Sequence, residues 1–182
     1  MAMKMQGEVE LPASREIVWE KLNDPEVLKA CIPGCESLEK TSDTSFQAVA
    51  KNKIGPVSAT FKGRVELADL DPPNGYRIQG EGDGGIAGFA KGGARVTLAE
   101  ADAGTRLIYD VEAQVGGKIA QLGARLIDGV AKKLADQFFT NFAAAVAGPA
   151  PVAAVEPPAD APQGEKKGFI GRLFGAGKAD RE

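Results

Sequence analysis

The sequence predicts an α+β fold in which a curved, seven-stranded antiparallel sheet wraps around one long C-terminal helix, with two short helices after the first strand. Two observations lead there. The first is the stretch Lys118–Ala147, thirty residues without proline. Its apolar residues Ile119, Leu122, Leu126, Val130, Leu134, Phe138 and Phe142 recur at steps of three and four and draw one stripe down a helix. Gln121, Arg125, Asp128, Lys132 and Asp136 fall on the other side. Such a helix is about 45 Å long. Gly116-Gly117 precedes it and Gly148-Pro149 stops it. The second observation is that nearly everything upstream alternates with the period of a strand, so the helix has to lie across one face of that sheet.

In chain order, Lys4–Leu11 alternates and forms the first strand. Ser14 caps a helix over Ser14–Leu22. A second helix, Pro25–Ala30, starts with proline at its favoured first position behind Asn23-Asp24 and ends at the turn Ile32-Pro33-Gly34. Six further strands are expected at Ser37–Lys40, Ser45–Ile54, Val57–Leu70, Tyr76–Gly82, Ala90–Ala99 and Thr105–Val115. Their connectors are short and rich in Gly, Pro, Asn and Asp, as sequential hairpins require. This order is the helix-grip arrangement.

Composition narrows the chemistry. The chain has 182 residues and a net charge of −3, which disfavours general nucleic-acid binding. It has no histidine, hence neither the commonest general base nor the commonest metal ligand. Cys31 and Cys35 are spaced wrongly for zinc and are read as structural thiols. No catalytic or metal-binding set emerges. Without an eighteen-residue apolar run or a signal pattern, a soluble cytoplasmic chain is expected.

With charged residues facing water, the inward set of the strands is Phe46, Ala48, Ala50 and Asn52; Val57, Ala59, Phe61, Gly63 and Val65; Tyr76, Ile78, Gly80 and Gly82; Ala90, Gly92, Ala94 and Val96; Leu107, Tyr109, Val111 and Ala113. About half are Gly or Ala, too small to pack tightly against a helix. The helix adds Gly123, Leu126, Ile127, Gly129, Val130 and Ala131. A hollow for a lipophilic ligand follows, with Phe46, Ala48, Ala50, Ala59, Phe61, Gly63, Tyr76, Ile78, Gly80, Ala90, Gly92, Ala94, Tyr109, Val111, Gly123, Leu126, Ile127 and Val130 as candidate lining. Glycines also permit strand curvature, so a face collapsed onto the helix is the alternative.

Four segments carry a family resemblance: NDPEVLKACIPGCESLEK (Asn23–Lys40), KIGPVSATFKGRVELAD (Lys53–Asp69), GFAKGGARVTL (Gly88–Leu98) and VGGKIAQLGARLIDGVAKKLADQFF (Val115–Phe139). Together they resemble the carbon monoxide dehydrogenase CoxG family of the START-like (SRPBCC) helix-grip superfamily, over about residues 3–146. The resemblance implies a non-catalytic accessory protein that binds a hydrophobic ligand between sheet and helix. It further implies recruitment of a molybdenum hydroxylase of the carbon monoxide dehydrogenase type to the cytoplasmic membrane and coupling to respiratory quinone. No covalent cofactor is implied, only a bound quinone or other lipid. A cyclase or hydrolase, which the same superfamily supports, and a structural adaptor with a filled core are the competing readings.

Three segments are expected: the domain 1–148, a linker 149–165 and a tail 166–182. Pro149–Gly164 has five prolines and five alanines in sixteen residues, the composition of an extended, disordered linker. The tail places Phe169, Ile170, Leu173 and Phe174 among Lys166, Lys167, Arg172 and Lys178. An apolar side flanked by basic residues suits an anionic membrane surface on the inner face of the cytoplasmic membrane.

Overall fold

A computed structural model describes residues 1–147, so the expectations for the linker and tail lie outside the described residues. Seven strands are present: β1 (Ala2–Leu11), β2 (Cys35–Ser42), β3 (Ser45–Ile54), β4 (Val57–Asp71), β5 (Gly75–Asp83), β6 (Phe89–Ala101) and β7 (Gly104–Gly116). They form one antiparallel sheet in the order β1-β7-β6-β5-β4-β3-β2. Consecutive strands from β2 to β7 are hairpin neighbours. β1 is the exception, pairing with β7 from Ala2 opposite Gln114 to Leu11 opposite Thr105.

Helices α1 (Arg15–Leu22) and α2 (Pro25–Cys31) carry the chain from the β1 edge to the β2 edge. Each begins where its cap dictates. The Ser14 hydroxyl accepts from the Ile17 amide at 3.4 Å, and the Asp24 carboxylate accepts from the Glu26 amide at 2.9 Å, with Pro25 opening the first turn. The Thr105 hydroxyl donates to the Ala13 carbonyl at 2.7 Å and fixes this crossing to β7.

The long helix is shorter than its apolar pattern predicts. Lys118–Leu122 forms a 3₁₀ turn, and the α-helix α3 runs from Ala124 to Ala147, 24 residues. The break is at Gly123, whose φ of +96° lies in the region that favours glycine. Burial of Ile119 beside Val115 and Ile127 explains the change of direction.

Two separate apolar clusters hold α3 to the sheet. The larger joins Leu11, Leu67, Tyr76, Val96, Leu98 and Leu107 to Val18 and Leu22 of α1, Cys31 of α2, and Phe142 and Val146 of α3. Aromatic contacts tighten it. Phe138 stacks on Phe142 with centroids 5.7 Å apart, and Trp19 meets Tyr76 edge-on at 5.3 Å. The smaller cluster holds Val115, Ile119 and Ile127, with Met3, Ile54, Val57 and Phe61 against it.

Two glycines near the start of α3 separate backbone strain from side-chain packing, because an added Cβ would meet nothing within 4 Å at either. Gly123→Ala should destabilise the fold by about 1 kcal/mol through its positive φ alone. Gly129→Ala, inside the helix, should stabilise it by about 0.5–1 kcal/mol. Urea unfolding of the two variants would measure both, and equal shifts of one sign would contradict this placement of the helix start.

Candidate functional site

Alternation along the strands turns the predicted inward set toward α3, and position along each strand then decides what it does. Near the α1–α2 end, Phe46 and Tyr76 are buried and belong to the larger cluster. Tyr76 is thus core, not lining. At the opposite end, Phe61 and Ala90 pack against the smaller cluster and Ile127 belongs to it. Ile78 and Tyr109 flank the larger one, where Tyr109 stacks on Phe139 at 5.3 Å.

Between the clusters lies a level that joins neither. Ala48, Gly63, Gly80, Ala94 and Val111 on the sheet, and Val130 and Leu134 on α3, are all partly exposed and absent from both, whereas Ala50 and Ala59 lie beside Phe61 at the smaller cluster. Met5 and Gly7 of β1 share this level, with Tyr109 lying directly over Gly7. A continuous sandwich of sheet and helix would bury these side chains. Their partial exposure fits a helix whose middle stands off the sheet over small residues.

The floor differs from expectation at Gly92. A Cβ there would run into the Glu112 carbonyl and the Ala113 backbone of β7, so this glycine lets two strands approach and cannot be enlarged into the hollow. Gly82 has nothing within 4 Å, and at Gly63 the nearest atom is at 3.6 Å. Two lining candidates on the helix side sit at the rim: Gly123 is exposed in the break before α3, and Leu126, 37% exposed, lies against Gly55 in the β3–β4 turn.

The polar groups of this interior are already engaged or unreactive. Asn52 donates to the Pro33 carbonyl at 3.2 Å. Burial raises the Tyr76 hydroxyl well above the ordinary phenol range, and burial with the nearby Asp136 charge raises Tyr109 in the same direction. Both therefore stay protonated at neutral pH. Cys31 and Cys35 are free thiols, each pushed up by burial, which suppresses the reactive thiolate. Among the described residues no group of three or more Cys, Asp or Glu is placed to hold a metal ion.

Depressions elsewhere have a different chemistry. Two of about 720 Å³ each cross the outer face of the sheet among Arg64, Glu81, Lys91, Arg95 and Asp110. A third of about 700 Å³ lies between Pro33 and the Lys132, Lys133 and Asp136 side of α3. Their mixed charges suit water and polar partners better than an apolar molecule.

A curved antiparallel sheet closed by a C-terminal helix, with two short helices after β1, is the START/Bet v1-like helix-grip fold. Within it, the model of the carbon monoxide dehydrogenase CoxG family matches residues 7–147, and the chain belongs to that family. A conserved protein from Geobacillus kaustophilus is 33% identical over 80% of this chain and 95% of its own, with a TM-score of 0.74. The Zhui aromatase/cyclase from Streptomyces sp. R1128 superposes with a TM-score of 0.63 at 14% identity, over 86% of this chain and 100% of its own. Ara h 8.0201 gives 0.57 at 16% identity, over 81% and 99%. These last two likenesses are of fold alone. Among curated proteins none matches the chain in sequence.

The geometry separates two kinds of glycine substitution. Gly63→Val and Gly82→Val should be tolerated and should reduce uptake of a lipophilic fluorescent probe about tenfold by occupying the hollow. Gly92→Val should instead unfold the β6–β7 pairing. Titration with the probe, beside thermal melts, checks both. Unaltered probe affinity in the well-folded Gly63 and Gly82 variants would contradict the hollow.

Proposed function

We propose that this chain is a non-catalytic accessory protein of a molybdenum hydroxylase of the carbon monoxide dehydrogenase type. It would hold a lipophilic ligand, a respiratory quinone, between sheet and α3, and bring the enzyme to the inner face of the cytoplasmic membrane. The family supports the association with carbon monoxide dehydrogenase. The observation that carries ligand binding is the unpacked level between the two clusters, apolar and built from small residues. A cyclase or hydrolase would need an acid and a base facing the hollow, and the tyrosines and Asn52 offer no ready base at neutral pH. Among the described residues no helix is long and apolar enough to cross a membrane. In this reading the linker 149–165 is a tether and the basic, aromatic tail 166–182 the anchor.

Native mass spectrometry of the gently purified chain should find a bound species of quinone mass, and only unliganded protein would favour an adaptor with a filled core. Deleting the gene should leave the hydroxylase active with artificial electron acceptors but detached from membranes. A hydroxylase still sedimenting with membranes would overturn the recruitment role. Phe169→Ala with Phe174→Ala should weaken binding to anionic vesicles by removing apolar contact, and added salt should weaken it separately by screening the basic residues.

A further inference from the structure

We infer that the folded domain itself meets an anionic lipid surface, through the end of the sheet formed by the β3–β4 turn, the β5–β6 turn and the start of α3. This rests on the membrane reading above and adds to it a second contact, independent of the tail.

The β5–β6 turn is built to hold an apolar side chain in the open. Asp83 accepts from the Gly85 amide at 2.8 Å, and the Gly84 amide donates to the Gly88 carbonyl at 2.8 Å, closing a loop with one 3₁₀ turn over Gly85–Ala87. The Phe61 ring fills the space beside Gly84, and Ala87 is buried. Ile86 is thereby turned outward and is 92% exposed, far more than the other exposed large apolar residues of the described chain. Phe89, Leu126 and Pro56 are exposed at the same end.

Charge follows the same axis. Lys53, Lys91, Lys118 and Arg125 are exposed around these turns, and among the described residues none of the four forms an ion pair. Of the acids nearest them, Glu81, opposite Lys91 on the neighbouring strand, pairs with Arg64 at 3.9 Å, which leaves Asp83 and Asp128 as the uncompensated acids against these four basic residues. At the far end, Glu16, Glu20 and Glu26 on the helices and Asp43, Asp71 and Asp102 in the turns are all exposed. An anionic surface would therefore attract one end of the domain and repel the other.

A lipid surface fits this end better than a protein does. A stable protein interface buries about 800 Å² on each partner in a matched, continuous patch. Here the apolar tips sit on separate turns with lysines between them. A bilayer interface accommodates such scattered tips beside basic residues without a matching shape.

Ile86→Trp in the full chain provides the test, because the single native tryptophan, Trp19, lies at the opposite end against Tyr76. With vesicles of equal parts phosphatidylglycerol and phosphatidylcholine carrying brominated acyl chains, emission from the introduced indole should shift to the blue and be quenched. Trp19 in the unaltered chain should be unaffected. Ile86→Asp combined with Lys53→Glu should lower vesicle partitioning about tenfold. A vesicle-bound Ile86→Trp chain whose introduced indole stays unquenched would overturn this inference, leaving the tail as sole anchor and these turns to the tail or an acidic protein. No binding to the vesicles at all would overturn both this contact and the anchoring role of the tail.

Discussion

The structure depends on α3 being fixed through its C-terminal half and at its N-terminal end. At its C-terminal end Phe142 and Val146 enter the larger cluster, and Asn141 donates to the Cys31 carbonyl at 3.0 Å, joining the helix to the end of α2. At its N-terminal end Ile127 is trapped with Val115 and Ile119. Each fully buried aliphatic or aromatic side chain contributes about 1.5–3 kcal/mol. The two ends can therefore sustain a helix whose central turns contribute little. A uniformly packed helix would be more stable but would leave no space.

Most of this architecture can be read from the residues, and the departures share a cause. Strand alternation reports which face a side chain takes, so the inward set, the hairpins and the helix-grip order follow from it. It does not report how far along the sheet a residue sits. Phe46 and Tyr76 share their face with Ala48 and Gly80, yet the first pair closes one end while the second floors the centre. The start of α3 is hidden for a related reason. Lys118–Leu122 has helix-compatible residues and the right apolar spacing, and only the tertiary demand that Ile119 reach Val115 and Ile127 turns it into 3₁₀ ahead of Gly123. Gly92 shows the same limit, since composition cannot separate a glycine that leaves space from one that admits a neighbouring strand.

If the proposed hollow takes a ligand, its composition limits how that ligand would be selected. Its floor is alanine, glycine and strand backbone, whose amides and carbonyls are committed to the sheet ladder. Tyr109 brings a hydroxyl to this interior, held between Gly7 and the Phe139 ring. Selection by fit in an apolar pocket distinguishes a methylene by about 1–3 kcal/mol, whereas a mismatched buried hydrogen bond costs far more. A ligand held as proposed would therefore be selected by girth rather than by head group. Specificity of the assembly would then reside in protein partners.

The pairing of β1 with β7 also constrains how the chain is made. The Met1 ammonium donates to the Val115 carbonyl across 114 residues of sequence. On the ribosome the first strand emerges early and has no sheet to join until the last strand follows, while β2 through β6 can zip from successive hairpins. Closure of such long loops is slow compared with local folding. During that interval Met3, Met5 and Val9 of β1 would be uncovered, a segment for chaperones to shield or for a second nascent chain to capture.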